Sequence, residues 1–433
     1  MLDAAERRAL LPDSALPLAY FACAHAGFLA ALLVLVVRPD VPGGFFYHPR
    51  MVAIVHLVTL AWLTGSILGA FYLVAPLALR LPLPAGVLDW VAFAAFSLGT
   101  GGMVVHLWTG RYDVMAATAL LPLAAIGWVA ARSWRRLRAA PAPWPVKLHV
   151  ALAFFNILAA AGFGIFLGLD RRAGWAGWSP LAATYAHAHL AAVGWAAMMV
   201  VGLAYRLIPM ILPAAMPTGA RLAASAVLIE AGLVVLVWSL LAGSNWEPLG
   251  ALLIGAGLAS FIAQIRRTLG QRLPRPPALP RRDWSTWQTQ VALMWLVVSL
   301  VLGVALGAGV PDRWHTPVAW VYGVAGLVGV LAQIVTVMQG RLVPLYAWYR
   351  AFARFGGPPR RAANSLPSPA FARPIFLCWT AGVPLLAWGL ASGREAVISA
   401  AALVLAAGVV TGGVYIGVML RAAVAGGPHE AGR

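Results

Sequence analysis

The strongest constraint on the fold is a series of long, almost uncharged apolar runs. Apolar residues make up 62% of the 433-residue chain and charged residues 10%, whereas soluble domains have about 45–50% and about 25%. A helix needs about 20 mostly apolar residues to cross a bilayer. A lipid-exposed backbone must also satisfy its own hydrogen bonds, which favours helices. The runs exclude a soluble enzyme or a disordered chain and predict an all-α polytopic membrane protein.

We predict twelve transmembrane helices and treat the whole chain, 1–433, as a single integral membrane domain whose partner is the lipid bilayer. The two cysteines lie in different runs and form no CxxC motif, so neither a zinc site nor a disulfide framework is predicted. The amino-terminal residues show no cleavage motif, and no removed signal peptide is expected. The predicted spans are 15–37, 51–79, 88–108, 114–132, 146–169, 182–212, 221–241, 247–270, 287–309, 316–345, 373–392 and 396–420.

The basic residues are distributed unequally between the two sides of the membrane. The chain has 31 Lys and Arg against 13 Asp and Glu. With a cytoplasmic amino terminus, 24 of the basic residues fall on the cytoplasmic side and 7 on the outer side. Cytoplasmic loops are enriched in Lys and Arg. This asymmetry predicts a bacterial inner-membrane protein with both termini in the cytoplasm, and it explains the positive charge without a nucleic-acid partner. The Pro/Arg-rich links LPRPPALPRR and GGPPRRAANSLPSPAFARP are predicted to be irregular loops.

Two spans share a sequence frame. HLVTLAWLTGSILGAFYLVAP begins at His56 and HLAAVGWAAMMVVGLAYRLIP begins at His189. The second frame begins 133 residues after the first. A further 133 residues along the chain lies Tyr322, in the tenth span, in place of a histidine. We therefore predict three units of four helices, at about 15–145, 146–285 and 286–420. The residues shared by the two frames are His56, Leu57, Trp62, Gly69, Tyr72 and Pro76, which match His189, Leu190, Trp195, Gly202, Tyr205 and Pro209.

Seven histidines lie in or at the edges of the predicted spans. Ionisable residues at membrane depth are costly and usually functional, and neutral imidazole is the commonest metal ligand. The alternative for each is a hydrogen-bonded packing residue. The candidate metal ligands are His56, His187, His189 and His106. The remaining three are His25, His149 and His315.

His187 and His189 cannot face the same point from a regular helix, because two residues turn an α-helix by about 200°. The shared frame selects His189 as the partner of His56. His187 is then expected to point to a neighbouring helix or to a second site.

The motifs HLVTLAWLTGSILGAFYLVAP and YAHAHLAAVGWAAMMVVGLAYRLIP, in the second and sixth spans, resemble the haem–copper oxidase subunit I superfamily. The nearest members are cbb3-type subunit I and the NnrS group of haem- and copper-containing membrane proteins. The resemblance implies a haem–copper oxidase subunit I-like arrangement of twelve helices with pseudo-threefold symmetry. It also implies that His56 binds haem b, and that His187 or His189 binds copper.

The chain departs from this superfamily at several positions. The seventh span has no histidine pair, and the tenth span carries Gln333 and Gln339 but no histidine. Val193 stands four residues after His189, where some classes have a tyrosine. A complete oxygen-reducing binuclear centre is therefore not expected. With no ligand on the tenth span, His25 or His189 is the predicted second haem ligand.

The expected function is that of a respiratory haem protein, for electron transfer or for handling nitric oxide or another small gas. Other respiratory-chain subunits or a cytochrome c are the expected partners. Arg50, with Arg111, Arg171 and Arg172, is a candidate to pair with a haem propionate; the alternative for each is a plain surface charge. Room for the flat ring is expected at Gly65, Gly69, Gly194 and Gly202.

Two alternative functions remain open from the sequence. The first is a non-catalytic subunit of a respiratory complex. The second is a transporter with broken helices near the midplane. Glu230 is the clearest acidic residue at mid-depth, and the scarcity of such residues argues against ion-coupled transport. The prolines that could break helices are expected to end them instead; these are Pro76, Pro209, Pro213 and Pro344.

Overall fold

A computed structural model of the chain describes residues 15–43, 47–211, 214–271, 284–356, 360 and 363–425. Within these ranges twelve helices are long and apolar enough to cross a membrane, and no β-strand is present. The prediction of an all-α polytopic membrane protein is therefore confirmed. The helices are α1 (Leu16–Val37), α2 (Pro49–Leu79), α3 (Val87–Trp108), α4 (Tyr112–Ala139), α5 (Trp144–Ala173), α6 (Pro180–Ile211), α7 (Ala220–Ala242), α8 (Glu247–Gly270), α9 (Trp284–Ala308), α10 (Asp312–Phe355), α11 (Pro369–Ser392) and α12 (Glu395–Ala425).

Several helices extend beyond the predicted apolar spans. Helix α10 is 44 residues long and ends at Phe355, where Gly356 adopts a positive φ of 69°, as is common after a helix end. Pro344 lies inside α10 and does not end it. Apolar composition marks only the part of a helix that lies in lipid. The predicted span therefore leaves out the arginine-containing part of α10 that follows residue 345. Pro213 and the predicted loop at 273–282 lie outside the described residues.

Helices α2, α6 and α10 share an irregularity. Each contains an eight-residue π-helical segment: Leu57–Thr64 in α2, Leu190–Ala197 in α6 and Ala325–Ala332 in α10. π-Helical turns widen the helix and occur mostly at functional sites. The three segments contact one another. Their helices are also the most buried, at 61, 56 and 50% of the apolar window. These helices therefore form the centre of the described part of the protein.

In each of these helices, the fifth residue of the π-helical segment packs against the helix that precedes it in the chain. These neighbours are α1 for α2, α5 for α6 and α9 for α10. A Cβ added at Gly194 would lie 2.7 Å from Asn156 of α5, and one added at Gly329 would lie 2.6 Å from Trp295 of α9. At the equivalent position in α2, the Ala61 Cβ lies against Gly27 of α1. The π-helical segments therefore occupy the same packing position relative to three different neighbours.

The π-helical segments give α10 a different register from the one that the sequence frame predicts. The residue that precedes the π-helical segment is His56 in α2, His189 in α6 and Val324 in α10. The sequence frame had placed Tyr322 at that position, so the frame is displaced in the third unit by two positions. The structural register also aligns Pro344 with Pro76 and Pro209, because each proline lies equally far along the chain from the start of its segment.

Contacts between helices recur every four helices along the chain. Helix α3 packs on α4, α7 on α8 and α11 on α12, and these are the most extensive helix pairs. Smaller contacts, which also recur every four helices, join α4 to α5, α8 to α9, and α12 to α1. The last of these joins the two ends of the chain, so that the helices surround α2, α6 and α10.

Candidate functional site

A large cavity lies between α2, α3, α4, α5 and α6, with one contribution from α10. It encloses about 1200 Å³ of empty space, a figure that includes open space at its mouth. Most of its wall is apolar, and two histidines, His56 and His187, are among its few polar groups. We call it the histidine-pair cavity.

His56 enters this cavity from the first turns of α2. The helix begins with Pro49, where a missing N–H carries no penalty. The Nδ1 of His56 donates a hydrogen bond to the Val52 carbonyl oxygen at 2.8 Å. The π-helical segment starts at the next residue, and within it Thr64 Oγ1 donates to the Thr59 carbonyl oxygen five residues earlier. The bond from Nδ1 fixes the ring and leaves Nε2 as the atom with a free lone pair.

His187 enters the same cavity from α6. Its Nδ1 donates to the Ala160 carbonyl oxygen of α5 at 3.0 Å. Gly164, one turn further along α5, lies directly beside the ring, and a Cβ there would lie 2.8 Å from Cε1. The absence of a side chain at Gly164 is therefore what gives the imidazole its position. As in His56, Nε2 remains available for a ligand.

The two imidazoles face each other. Their ring centroids are 6.2 Å apart and their planes are inclined by 27°. Both rings donate a hydrogen bond from Nδ1 to a backbone carbonyl oxygen. A metal-ligating histidine is usually oriented by a bond of this kind from its other ring nitrogen. The described residues provide no hydrogen-bond partner for either Nε2. The pair can therefore supply two neutral nitrogen ligands from two different helices.

The mouth of the cavity carries a positive charge. Arg171 lines it and donates a hydrogen bond to the Tyr47 hydroxyl at 2.9 Å. Its guanidinium also lies over two aromatic rings, at 4.9 Å from the Tyr47 centroid and 5.1 Å from the Tyr112 centroid. Both tyrosines line the cavity. A guanidinium held in this way can bind an acidic group of a ligand through charge-assisted hydrogen bonds.

His189 does not face His56, so the predicted pairing is corrected. Its Nδ1 donates to the Tyr185 carbonyl oxygen at 2.7 Å, and its Nε2 therefore accepts from the Tyr322 hydroxyl of α10 at 2.8 Å. The two ring centroids are 6.1 Å apart. His189, the histidine of the shared frame, thus points to the central α10, whereas His187 points to α5.

Other predicted site residues lie elsewhere. His25 lines a second cavity, between α1, α2 and α9–α12. His106 does not line the histidine-pair cavity, and its Nδ1 is buried without a hydrogen-bond partner among the described residues. Arg50 lies over the Trp108 ring at 5.6 Å and is also absent from the cavity wall. Arg171, which the sequence grouped with Arg50, holds the position at the mouth.

The glycines expected to leave room for a flat ring have another role. A Cβ at Gly69 would lie 2.9 Å from Tyr20, and one at Gly202 would lie 2.4 Å from His149. These residues, like Gly194, allow close helix–helix contact, a common use of small residues in membranes. The glycines that line the cavity are Gly164 and Gly168 of α5. Nothing in their sequence context distinguishes them from the other glycines.

Within the described ranges, no group of three or more His, Cys, Asp and Glu side chains could hold a metal ion. The candidate ligands His56, His187, His189 and His106 accordingly do not form such a group. Comparisons with models of protein families and with curated proteins found no match for this chain.

Proposed function

We propose that this protein is a haem-binding membrane protein that transfers electrons, with His56 and His187 as the two axial ligands. The observation that carries the proposal is the facing imidazole pair in a large apolar cavity. Two metal–imidazole bonds of about 2.0–2.1 Å, as for zinc–imidazole bonds, together with the half-ring on each side span roughly 6 Å. The observed centroid separation of 6.2 Å is of the size that two such bonds require when both Nε2 atoms point to the same iron.

The surroundings also fit a haem. The apolar wall suits a macrocycle, and Arg171 at the mouth suits its carboxylates. Gly164 leaves space beside the His187 ring, which any side chain at that position would restrict. The Nδ1 bonds to Val52 and Ala160 hold both rings as neutral nitrogen donors.

Two imidazole ligands favour electron transfer over gas handling. A haem iron with both axial positions filled has no open position for a gas, whereas one imidazole would leave a position free. The proposal therefore does not include a copper centre or oxygen reduction. Nitric oxide handling becomes the better function if only one of the two histidines ligates the iron.

The finer description of the fold belongs to the same proposal. We infer three units of four helices in a pseudo-threefold arrangement like that of haem–copper oxidase subunit I. The recurrence of helix contacts every four helices and the three matched π-helical segments support this arrangement. The unequal distribution of arginines supports a bacterial inner membrane with both termini in the cytoplasm. A respiratory-chain subunit or a cytochrome c is the proposed redox partner.

The test is the absorption spectrum and haem content of the purified full-length protein. We expect a Soret band, an α-band on reduction and one haem per chain. His56→Ala and His187→Ala should each lose the haem or convert it to a five-coordinate form. His189→Ala and His25→Ala are matched controls and should retain the wild-type spectrum.

Two results would contradict the proposal. A protein expressed with sufficient haem but purified without it would favour a non-catalytic subunit. A haem lost in His25→Ala or His189→Ala, but retained in His187→Ala, would assign the site to a different cavity.

A further inference from the structure

The second cavity, which we call the His25 cavity, has no role in the proposed haem site. It lies between α1, α2 and α9–α12, and the space in it that is open to water is about 40 Å³. One water molecule needs about 10–15 Å³ on this measure, so the cavity has room for roughly three water molecules. This space is too small for an organic ligand.

The wall of the His25 cavity runs from one end of the bundle to its middle. Ser285, the second residue of α9, lies in the wall at the end where α9 and α11 begin. His25 and Trp62 lie in the wall near the middle of α1 and α2. On α12 the wall extends from Met419 to Gly408, which is about 16 Å at 1.5 Å per residue. The cavity therefore spans about half of a hydrocarbon core that is about 30 Å thick.

Three buried N–H donors in this wall have no hydrogen-bond partner among the described residues. They are Trp379 Nε1, Trp62 Nε1 and Gln288 Nε2, and the exposed fractions of these residues are 0, 1 and 4%. Buried donors in folded proteins are almost always paired with protein, water or a ligand. A buried water typically makes about three hydrogen bonds to such groups. Because the space has the size of water, water is the partner that these donors indicate.

The wall also carries the acceptor and the further donor that a chain of water molecules requires. His25 Nδ1 donates to the Phe21 carbonyl oxygen at 2.9 Å, so its Nε2 carries the lone pair of the neutral ring. Gly412 of α12 lines the cavity beside this nitrogen, and a Cβ there would lie 3.8 Å from Nε2. Nearer the end of the bundle, the Tyr415 hydroxyl accepts a hydrogen bond from the Ser368 N–H at 2.6 Å and can donate its own proton.

The charges around the cavity are few. Among the described residues, its wall contains no Asp, Glu, Lys or Arg side chain, and its titratable groups are His25 and Tyr415. Arg341 of α10 is the charged group that acts on Tyr415. Because a buried charge without a counter-charge is costly, the His25 ring is neutral at rest and its Nε2 is available to accept a proton.

We propose that the His25 cavity holds a chain of ordered water molecules that connects His25 Nε2 with the aqueous phase at the end of the bundle where α9 and α11 begin. The waters accept hydrogen bonds from Trp379, Trp62 and Gln288, and the innermost water donates to His25. A hydronium ion at the surface passes its excess proton from water to water, and the last water gives a proton to Nε2. The waters end neutral and the positive charge ends on the imidazole. His25 is thus a proton-accepting site at mid-depth that is reached from one side of the membrane. This site goes beyond the proposed haem function and does not depend on it.

The first experiment is silver-ion protection of single cysteines in the full-length protein in lipid nanodiscs. Ag⁺ is a soft ion of about the size of a water molecule and binds thiolates. In a background of Cys23→Ser and Cys378→Ser, the test variant is Thr336→Cys, in the wall of the cavity. Its matched control is Val335→Cys, because the next residue on the same helix is 7% exposed and lines neither cavity. Ag⁺ should prevent later maleimide labelling of Thr336→Cys about tenfold faster than that of Val335→Cys, because the thiolate that binds Ag⁺ forms readily only beside water.

The same reagent tests the direction of access. In proteoliposomes, Ag⁺ should protect Thr336→Cys from one side of the membrane only. That side is identified by maleimide labelling of Ser365→Cys, an exposed position in the link between α10 and α11. Protection of Thr336→Cys from the opposite side alone would contradict the proposed direction.

The second experiment is infrared spectroscopy of the wild-type protein during transfer to D₂O. The indole N–H band of Trp379 is identified by its loss in Trp379→Phe. Trp388→Phe is the matched control for this assignment, since Trp388 is 49% exposed on the same helix. A Trp379 N–H bonded to water should show a hydrogen-bonded stretching frequency and should exchange for deuterium while the protein stays folded.

Two outcomes would overturn the proposal. One is equal protection of Thr336→Cys and Val335→Cys by Ag⁺ in protein that thermal unfolding and size-exclusion profiles show to be folded. The other is a Trp379 N–H band at the frequency of a free indole that persists in D₂O, which would mean that the cavity is dry. The infrared result does not depend on the folding of a cysteine variant, and neither readout depends on haem.

Discussion

Replacing Gly164 with alanine should weaken haem retention about tenfold. The new Cβ would lie 2.8 Å from His187 Cε1, whereas ordinary contacts begin at 3.4 Å, so the ring must retreat by about 0.6 Å, the difference between these distances. The bond from His187 to Ala160 is 3.0 Å long and is made to the same helix. A retreat of that size stretches it to roughly 3.6 Å, which no longer counts as a hydrogen bond.

The magnitude follows from the loss of this bond. A hydrogen bond contributes about 0.5–1.5 kcal/mol net, or roughly 2- to 13-fold in affinity. Loss of an orienting bond to a metal-ligating histidine typically costs about 10–100-fold. The assay is the rate of haem transfer from purified protein to excess apomyoglobin, measured from the Soret band.

Gly162→Ala is the matched control, because it lies on the same helix and nothing lies within 4 Å of a Cβ there. It should leave haem transfer unchanged and raise the helix propensity. Equal transfer rates for Gly164→Ala, Gly162→Ala and the wild type would refute the assignment of the His187 ring as a haem ligand held against α5.

The remaining predictions concern three other contacts. Asp89→Asn should destabilise the protein by about 3 kcal/mol in thermal unfolding, because it removes the buried counter-charge of Arg132 on α4. Asp40→Asn, at an exposed ion pair, should leave the melting temperature unchanged. Tyr322→Phe should leave the haem spectrum unchanged, since it removes only a bond to His189; a shifted α-band would contradict this. Arg171→Ala should speed haem transfer several-fold through loss of a propionate contact, and wild-type kinetics would exclude that contact.

The transmembrane part of the fold could be predicted from the sequence, because a bilayer imposes both a length and an apolar composition on each helix. Nine of the twelve predicted spans lie entirely within a helix that the structure describes, and the other three, 15–37, 182–212 and 287–309, each extend one residue beyond the bounds of their helix. The extension of α10 to Phe355 could not be predicted in this way, since the part of a helix that leaves the lipid is not marked by apolarity.

The site was predictable only in part. His56 and His187 were both candidates, but the shared frame selected His189 as the partner. The shared frame matches positions on α2 and α6, but it does not show which neighbouring helix each side chain faces. His189 contacts Tyr322 of α10, whereas His56 lines the histidine-pair cavity. The cavity lies on the side of α6 that faces α5. The spacing of apolar residues does not show which side of a helix faces a cavity.

The π-helical segments were also invisible in the sequence. Their residues are apolar like those of the other membrane spans, so nothing in the sequence marks the extra residue in each turn. The structure therefore corrected the register of the third unit, in which Val324 and not Tyr322 holds the position equivalent to His56 and His189.

The measurement that tests the central claim most directly is the reduction potential of the haem in His187→Met and in His189→Met. A methionine in place of an axial imidazole raises the potential. The account predicts a higher potential and an altered α-band in His187→Met, with wild-type values in His189→Met. An unchanged potential in His187→Met, or a raised one in His189→Met, would contradict the pairing of His56 with His187.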